Sequence, residues 1–554
     1  MKKILNVRII SLMLAILMIV SALFACGVND NVNPPINDPT YTPPGVTVKP
    51  GSSSTTTNTT TTTTRPTSSP TTKPNTSGGG SETCTVDHID LNDNGLCDKC
   101  NFDVVEIIDF YNFNDLHGKL EDGDSHPGVD EITAYLEDRM NIDEHTVFLS
   151  SGDMWQGTAE SNLTNGNMMT EWLNEIGVAA MTLGNHEFDW TREDIYANAE
   201  LAEFPFLAIN IYSMQTNERV DFAQPSVIVE CGNAKIGIIG AIGDCHSSIS
   251  QEKVTDIYFK VGNELSNLVK EESQRLRAQG CDYIVYSIHD GAEKRGTGSI
   301  SNSDLAGYYD ISLSNGYVDL VFEGHTHQNY VFKDSKGIYH IQGGAENDAL
   351  SHVEIKLNYV NDTSRINAVS NVSSNIYDDC TPDSVIGDLK EKYKDRIDKA
   401  DELLGVINRT MRSDELRQII ADLYLEAGIE KWGSEYNIVL GGGYIGVRSP
   451  YNLYAGEVRY EDLYTIFPFD NELCLCTISG YYLKQKFINT TNSNYFISLS
   501  DYGETLNIQD NATYYIIVDS YSAYYAPNRL TVVQTYGEAV YARDFLAEYI
   551  KGLK

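Results

Sequence analysis

The chain has 554 residues, 41% of them apolar, a formal net charge of −38 and ten cysteines. That length is too great for one hydrophobic core and implies two or more domains. The acidic balance excludes a binder of nucleic-acid polymers, which needs basic patches against phosphates, and any phosphate site in so acidic a protein needs local cations.

Lys2 and Lys3 precede an apolar stretch from about Ile9 to Phe24 that ends in Leu23-Phe24-Ala25-Cys26-Gly27. Residues 1–26 are therefore a targeting leader. Its end resembles a bacterial lipoprotein cleavage site, where Cys26 becomes the lipid anchor to the membrane. Cleavage by an ordinary signal peptidase, or an uncleaved anchor, equally leaves the bulk of the chain exported. Residues 27–80 are rich in Thr, Ser, Pro, Asn and Gly and cannot bury enough surface to offset chain entropy, so they read as a disordered tether. In residues 81–102, Cys84, His88, Cys97 and Cys100 have spacing suited to zinc. Asp90-Leu-Asn92-Asp-Asn94-Gly95 copies the start of a calcium loop, with Asn101 where the bidentate Glu belongs. Zinc is the preferred reading there; calcium, a disulfide or an unliganded spacer remain open. The other cysteines read as buried thiols, with Cys474 and Cys476 on the same side of one strand.

From about Val104, short apolar strands alternate with amphipathic segments. Strands are expected at Val105–Phe110, Thr146–Ser150, Ala179–Leu183, Pro205–Ile211, Lys235–Ile239, Tyr283–Ile288, Val318–Phe322 and Ile338–Gln342. Helical periodicity marks Asp130–Met140 and Gly262–Ala278. The class is α/β, two packed sheets with flanking helices over residues 103–365. Residues 366–405 read as a linker with a helix at Asp383–Leu404, and residues 406–554 as a second α/β domain.

Between Asn114 and His327 the ends of these strands carry Asn114-Asp115-Leu-His117-Gly118, Gly152-Asp153, Gly184-Asn185-His186-Glu187, His289-Asp290-Gly291 and Gly324-His325-Thr-His327. Five of the 11 histidines fall in these loops. Ligands in α/β folds gather at the C-terminal ends of strands. Asp115 and His117 can turn toward one ion, Asp153 can bridge two, Asn185 offers a carbonyl oxygen, and His289, His325 and His327 offer rings. Such a set suits two divalent ions of Mn, Zn, Fe or Co type, which hydrolyse phosphate esters. His126, His145, His246, His340 and His352 lie outside the pattern.

This series resembles the calcineurin-like metallophosphoesterase superfamily, and Asn114–Gly118, Gly152-Asp-Met-Trp-Gln-Gly157 and Gly184-Asn-His-Glu-Phe-Asp189 narrow the resemblance to its 5′-nucleotidase branch. The resemblance implies a first ion on Asp115, His117, Asp153 and His327, and a second on Asp153, Asn185, His289 and His325. It implies in-line attack on phosphorus by a metal-bridging hydroxide. His186 would donate to the phosphate or leaving oxygen, oriented by Asp189. The fold implied is a two-sheet α/β metallophosphoesterase sandwich with a C-terminal 5′-nucleotidase-type substrate domain that holds a nucleoside.

In that second domain Phe467-Pro468-Phe469-Asp470-Asn471 matches the family's Pro-Phe-x-Asn segment and nominates Phe469 for base stacking. Gly441-Gly442-Gly443 followed by Arg448 resembles a Gly-rich turn with an arginine, although Tyr444–Val447 intervene. Arg417 and Arg412 are further candidates for anion contact, with helix-surface charge as the alternative. The Gly-Gly-Asp-Gly-Tyr turn of the family is absent, and Tyr524, Tyr521 or Tyr525 stands in for its aromatic. The expected activity is that of a secreted nucleotide phosphohydrolase, most simply a 5′-nucleotidase. A 2′,3′-cyclic-nucleotide phosphodiesterase, a nucleotide-sugar hydrolase, or a surface lipoprotein that binds nucleotides without turnover are the alternatives.

Overall fold

The computed structural model describes residues 89–553 except 93, 100–103, 123–126, 143–144, 293–315, 361–362, 374–384, 447–451, 526–527 and 538–539. The leader, the tether, and Cys84, His88, Cys100 and Arg448 lie outside the described residues.

The first strands in chain order are β1 (Val105–Phe113), β2 (Thr146–Ser150), β3 (Ala180–Thr182), β4 (Phe206–Leu207), β5 (Ile211–Ser213), β6 (Ser226–Cys231), β7 (Ala234–Ile242) and β8 (Ile257–Phe259). β9 (Tyr283–His289), β10 (Leu320–Phe322), β11 (Asn329–Lys333), β12 (Tyr339–Gly343), β13 (Ala349–Asn358) and β14 (Thr363–Ser373) follow. Among the described residues they build two sheets, β14-β13-β1-β2-β3-β4 and β11-β12-β10-β9-β7-β6, and a separate β5-β8 pair. β1 through β4 run parallel, as do β7, β9, β10 and β12. Their C-terminal ends therefore face one way within each sheet.

Side-chain alternation sorts each strand between two cores. Ile108 and Phe110 of β1 and Val147 and Leu149 of β2 point inward, against Val285 of β9, Phe322 of β10 and Ile341 of β12. Phe110 packs on Tyr283 with ring centroids 6.3 Å apart. The odd-numbered Tyr111 and Phe113, with Phe148, face the opposite way into a second core with Trp172 and Leu173 of the helix Asn167–Glu175. Ile284, Tyr286 and Ile288 of β9 meet Leu265, Val269 and Leu276 of the helix Asn263–Ala278 on the outer face of the second sheet. The result is the expected α/β sandwich.

Two expected elements differ. The single strand expected at Pro205–Ile211 divides into β4 and β5. Buried Asn210 interrupts it, its side-chain amide donating to the carbonyls of Ile242 and Lys260 while its Oδ1 accepts from Ile242 N. An Asn that replaces ladder hydrogen bonds in this way ends a strand locally. The segment expected as linker begins inside β14, which pairs with β13 along its length. Its helix spans Val385–Ile397, and Leu403–Leu404 already belong to β15 (Leu403–Ile407).

The C-terminal strands are β16 (Ile438–Tyr444), β17 (Gly456–Arg459), β18 (Leu473–Ser479), β19 (Tyr495–Leu499), β20 (Thr513–Asp519) and β21 (Thr531–Thr535). Five form a sheet, β19-β16-β20-β18-β21, and β15 pairs with β17. Leu416, Ile420 and Tyr424 of the helix Ser413–Trp432 pack with Leu475 and Ile517 on one face. Cys474 and Cys476 lie on the other face, both buried and unbridged, as their alternation along β18 requires.

Candidate metal centre

Each ligand loop starts where a parallel strand stops: Asn114–Gly118 after β1, Ser151–Gly157 after β2, Leu183–Asp189 after β3, and Glu323–His327 after β10, while His289 is the last residue of β9. The backbone there is strained. Asp115, His117, Asp153, His325 and His327 all take left-handed φ values, between 52° and 70°. Each such non-glycine residue costs on the order of 1 kcal/mol or more, and clusters of them mark functional sites. Main-chain hydrogen bonds impose the conformation: Asp115 N donates to Gly152 O (2.9 Å), and His117 N to Asp153 O (3.0 Å). The loops also approach too closely for side chains at two glycines. A Cβ on Gly152 (φ +90°) would lie 2.7 Å from Gly184 N, and one on Gly184 would lie 2.3 Å from Asp153 Oδ1.

The loops bring together six of the seven residues expected as ligands, and Asn185 adjoins them in sequence next to His186, itself clustered with His117 and Asp153. Donor atoms of Asp115, His117 and His327 lie within 4.8 Å of one another, as do those of Asp115, Asp153 and His289. His289 Nε2 stands 3.0 Å from Asp153 Oδ2, His117 Nε2 3.0 Å from His327 Nε2, and His327 Nε2 3.4 Å from Asp115 Oδ1. Asp115, His117, Asp153, Asn185 and His289 are buried, and His327 is half exposed.

The chemistry of this set fits divalent ions. His289 Nδ1 lies 2.6 Å from Ser151 O and His117 Nδ1 3.0 Å from Gln156 O, so both present Nε2 to the interior. A backbone carbonyl on the far nitrogen is the usual orienting partner of a metal-binding imidazole. Asn185 Oδ1 and His289 Nε2 are buried without a hydrogen bond, an expensive condition that an ion relieves. Burial alone would raise the Asp153 carboxyl, but His289, His186 and His117 around it hold it well below the usual carboxylate range. Burial alone would lower His289, yet Asp153, Asp115 and Glu187 raise it to about 10. A field that holds a proton so firmly holds a cation in its place. His325 is lowered by burial and by His289.

His186 is joined to the cluster through its backbone, which donates to Asp153 Oδ1 (2.8 Å), and its Nδ1 lies 2.8 Å from Asp189 Oδ2. Its ring meets His117 edge-on at 5.2 Å. The ring of Phe469 stacks on it at 6.2 Å and 25°. A cavity of about 590 Å³ in the C-terminal half is lined by Arg417, Asp414, Tyr444, Gly446, Asn494 and Phe496 among others. Gly446 lies against Phe469, whose ring would be 3.3 Å from a Cβ there, so Phe469 touches both a residue of this cavity and His186. Arg417 is pinned by Asp414 (3.1 Å) and by Ile445 O (3.3 Å). Tyr521 packs on the cavity residue Tyr444 at 5.7 Å and stacks on Tyr525 at 6.3 Å. Tyr524 instead packs against the core beside Cys474 and Cys476. Arg412 occupies the N-cap position of the helix Ser413–Trp432 without a side-chain capping hydrogen bond.

Four of the histidines set aside have partners elsewhere: Glu106 (3.7 Å) for His145, the Gly243 carbonyl (3.0 Å) for His246, Glu323 (2.7 Å) for His340 and Asp109 (2.5 Å) for His352. His126 lies outside the described residues.

Sequence reasoning missed three supporting residues. Glu187, fully buried, accepts from the backbone N–H groups of Gly184 (2.6 Å), Asp153 (2.9 Å) and Met154 (2.9 Å), tying two ligand loops together. Burial and the neighbouring Asp153 raise it to about 7. Arg543, also fully buried, pairs with Asp470 and donates to the carbonyls of Phe467 (3.0 Å) and Phe469 (3.3 Å). Cys245 follows β7 at the same sheet end as the ligand loops, with its thiol in the His289–His325 cluster. The position after a parallel strand was the available signal for Cys245. No short-range spacing marks Arg543, 74 residues from Phe469.

Residues 109–329 match the sequence profile of the calcineurin-like phosphoesterases, and residues 385–496 that of the 5′-nucleotidase C-terminal domain. Protein UshA of Yersinia enterocolitica is 25% identical over 379 residues, 60% of this chain and 66% of that protein. The chain thus spans just under two thirds of that relative's length. A 5′-nucleotidase of Vibrio parahaemolyticus is 26% identical over 386 residues, 62% of this chain and 67% of that one. The crystal structure of a 5′-nucleotidase precursor from Thermus thermophilus shares the fold, with a TM-score of 0.59 at 17% identity over 81% of this chain and 97% of that one.

Proposed function

Because the chain belongs to the calcineurin-like metallophosphoesterases that carry a 5′-nucleotidase C-terminal domain, a family of metal-dependent phosphoester hydrolases, we propose that it is an exported 5′-nucleotidase that works with two divalent ions. The observation that carries this reading is Phe469, whose ring stacks on His186 and lies against Gly446 of the cavity lined by Arg417. A base resting near Phe469 would leave its 5′-phosphate within reach of the histidine cluster.

Asp115, His117, Asp153 and His327 would hold one ion, and Asp153, Asn185, His289 and His325 the other. When bound, the ions supply Lewis acidity, which lowers the pKa of a water and neutralises charge on the phosphoryl oxygens. The chain's own residues do the rest. Asp153, kept ionised by three surrounding imidazoles, would offer its carboxylate to both positions. His186 takes its orientation from Asp189 on Nδ1, which leaves Nε2 to protonate the leaving ribose oxygen. Phe469 shields that imidazole on one side and limits the rotamers it can adopt. Arg417 supplies guanidinium donors at the cavity wall, where its charge is shared with the neighbouring Asp414. Export with a lipid anchor at Cys26 follows from the leader alone.

Phosphate release from AMP, 2′,3′-cyclic AMP and a nucleotide sugar by the purified chain tests the reading. The expected kcat/KM is highest for AMP. Preference for the cyclic ester or the sugar nucleotide would overturn the 5′-nucleotidase assignment, and no hydrolysis of any of them by protein shown to contain metal would leave a binding protein.

A further inference from the structure

We propose that Cys245 is an additional ligand at the second ion position and directs that position toward a thiophilic ion such as zinc. The parallel register of β7 on β9 places Ile242 opposite His289, so the chain leaving β7 must turn beside the ligand loops. It does so as a short turn, Asp244–Ser248, held at its start by Asp290, whose Oδ2 accepts from Asp244 N at 2.8 Å. That turn aims Cys245 inward: the residue is 4% exposed and its Sγ lies 2.9 Å from the His289 carbonyl oxygen.

Sγ and ring nitrogens of His289 and His325 all lie within 4.8 Å of one another. Two donors on one zinc ion are at most about 4.4 Å apart, from Zn–S near 2.3 Å and Zn–N near 2.1 Å, so small side-chain rotations complete the set. An independent observation points the same way. His289 Nε2 is fully buried and faces Asp153 Oδ2 at 3.0 Å without the alignment of a hydrogen bond, and Asn185 Oδ1 is likewise buried and unsatisfied. His289 thus belongs both to the thiol cluster and to the cluster of Asp115 and Asp153, beside a ligand loop whose Asn185 Oδ1 is buried without a hydrogen bond.

The exchange balances simply. Sγ–H gives up its hydrogen bond to the His289 carbonyl, the proton leaves to solvent, and an S–metal bond forms with no change of oxidation state. A thiolate is a soft donor, and adding one to an Asn, Asp and two-His set favours zinc or cobalt over manganese or magnesium.

The inference rests on the two-ion reading of the site, and the test separates the two. The full-length protein is stripped, reconstituted with cobalt(II), and examined by near-ultraviolet absorption and metal analysis, beside C245S and C245A. The wild type is expected to bind cobalt in the cluster and show a sulfur-to-cobalt charge-transfer band that both variants lose. Both variants should also retain zinc about tenfold less well in competition with manganese. Comparing variants removes any contribution from Cys84, Cys97 and Cys100. Cobalt bound in the wild type with no band dependent on Cys245, or an unchanged zinc-to-manganese ratio in the variants, overturns the role of Cys245 while leaving the two-ion site standing. Failure of D153A to lose any metal relative to wild type overturns both.

Discussion

The ring of Phe469 lies over the imidazole of His186, centroids 6.2 Å apart and planes within 25°, although 283 positions separate them in the chain. Asn162 Nδ2 donates to the neighbouring Pro468 carbonyl (2.8 Å) and Trp190 Nε1 to Asp470 Oδ2 (3.1 Å). The segment that carries Phe469 is thus fastened to the metallophosphoesterase sandwich on both sides of the aromatic ring. The proposed proton donor and the proposed base-binding surface therefore share one contact.

Phe469→Ala separates the two roles. Base–aromatic stacking is worth about 1–3 kcal/mol per base, so KM for AMP is expected to rise roughly tenfold to a hundredfold. KM for a small ester without a base, such as glycerol phosphate, should change little. An equal rise for both substrates would show that the ring serves His186 and not the base.

Asp189→Asn keeps an acceptor within reach of His186 Nδ1 but removes the charge that favours a protonated imidazole. The expected result is a fall in kcat of about ten- to a hundredfold with KM nearly constant. The loss should shrink for esters whose leaving group departs without protonation, such as nitrophenyl phosphates. A uniform loss across leaving groups would remove His186 from the acid role.

Much of this site was legible because its chemistry is local. Asp115, His117, Asp153, Asn185, His325 and His327 each follow, and His289 ends, a strand whose apolar run announces it, and the five left-handed residues among them sit in short glycine-flanked loops. The strands with strict alternation, β1 and β2, were equally plain. What was hidden depends on distant partners. Asn210 reads as one polar residue in an apolar run until its bonds to Ile242 and Lys260 are seen. β14 is mostly exposed and lacks the apolar face that would mark it as a strand. Cys245 reads as a small hydrophobe until β7 and β9 are set in register. Tyr521 and Tyr524 are three residues apart on one short helix, and only the fold shows that Tyr521 turns to the cavity residue Tyr444.

Removal of metal should give the protein a distinctive dependence of stability on pH. His289 is raised to about 10 in the folded protein, so its contribution is complete below the ordinary histidine range and is lost as pH rises through 10. Glu187 is raised to about 7; the folded form then binds more protons than the unfolded one, and stability falls as pH rises from the ordinary carboxylate range to 7. Asp153 acts oppositely, contributing above the unfolded carboxylate range and losing that contribution only as pH drops through its depressed value. The Tm of chelated protein is therefore expected to decline from about pH 5 to pH 10. With ions in place of the His289 proton the decline should flatten, so the gain in Tm on adding metal grows with pH. A metal-induced gain that is constant across this range would place the ions elsewhere.

Arg543 is expected to hold Phe469 in the position that the proposed reaction needs. Its guanidinium is fully buried, pairs with Asp470, bonds the carbonyls of Phe467 and Phe469, and lies 3.6 Å from the centroid of the Tyr464 ring. Removing one partner from a buried pair costs about 3–5 kcal/mol because the other is left without compensation. Arg543→Met preserves much of the packing volume over Tyr464 but abandons Asp470 and both carbonyls. Denaturant unfolding should show a loss of that size. The same variant should raise KM for AMP through displacement of Phe469, while hydrolysis of glycerol phosphate, which depends on the cluster around Asp153, falls far less. Replacing Asp470 with Asn in the Arg543→Met background should recover part of the stability, because it removes the stranded charge, yet it should not recover KM, since the two carbonyl contacts remain lost. Recovery of both together would mean that charge balance alone, and not the hold on the backbone of residues 467–469, positions the aromatic ring.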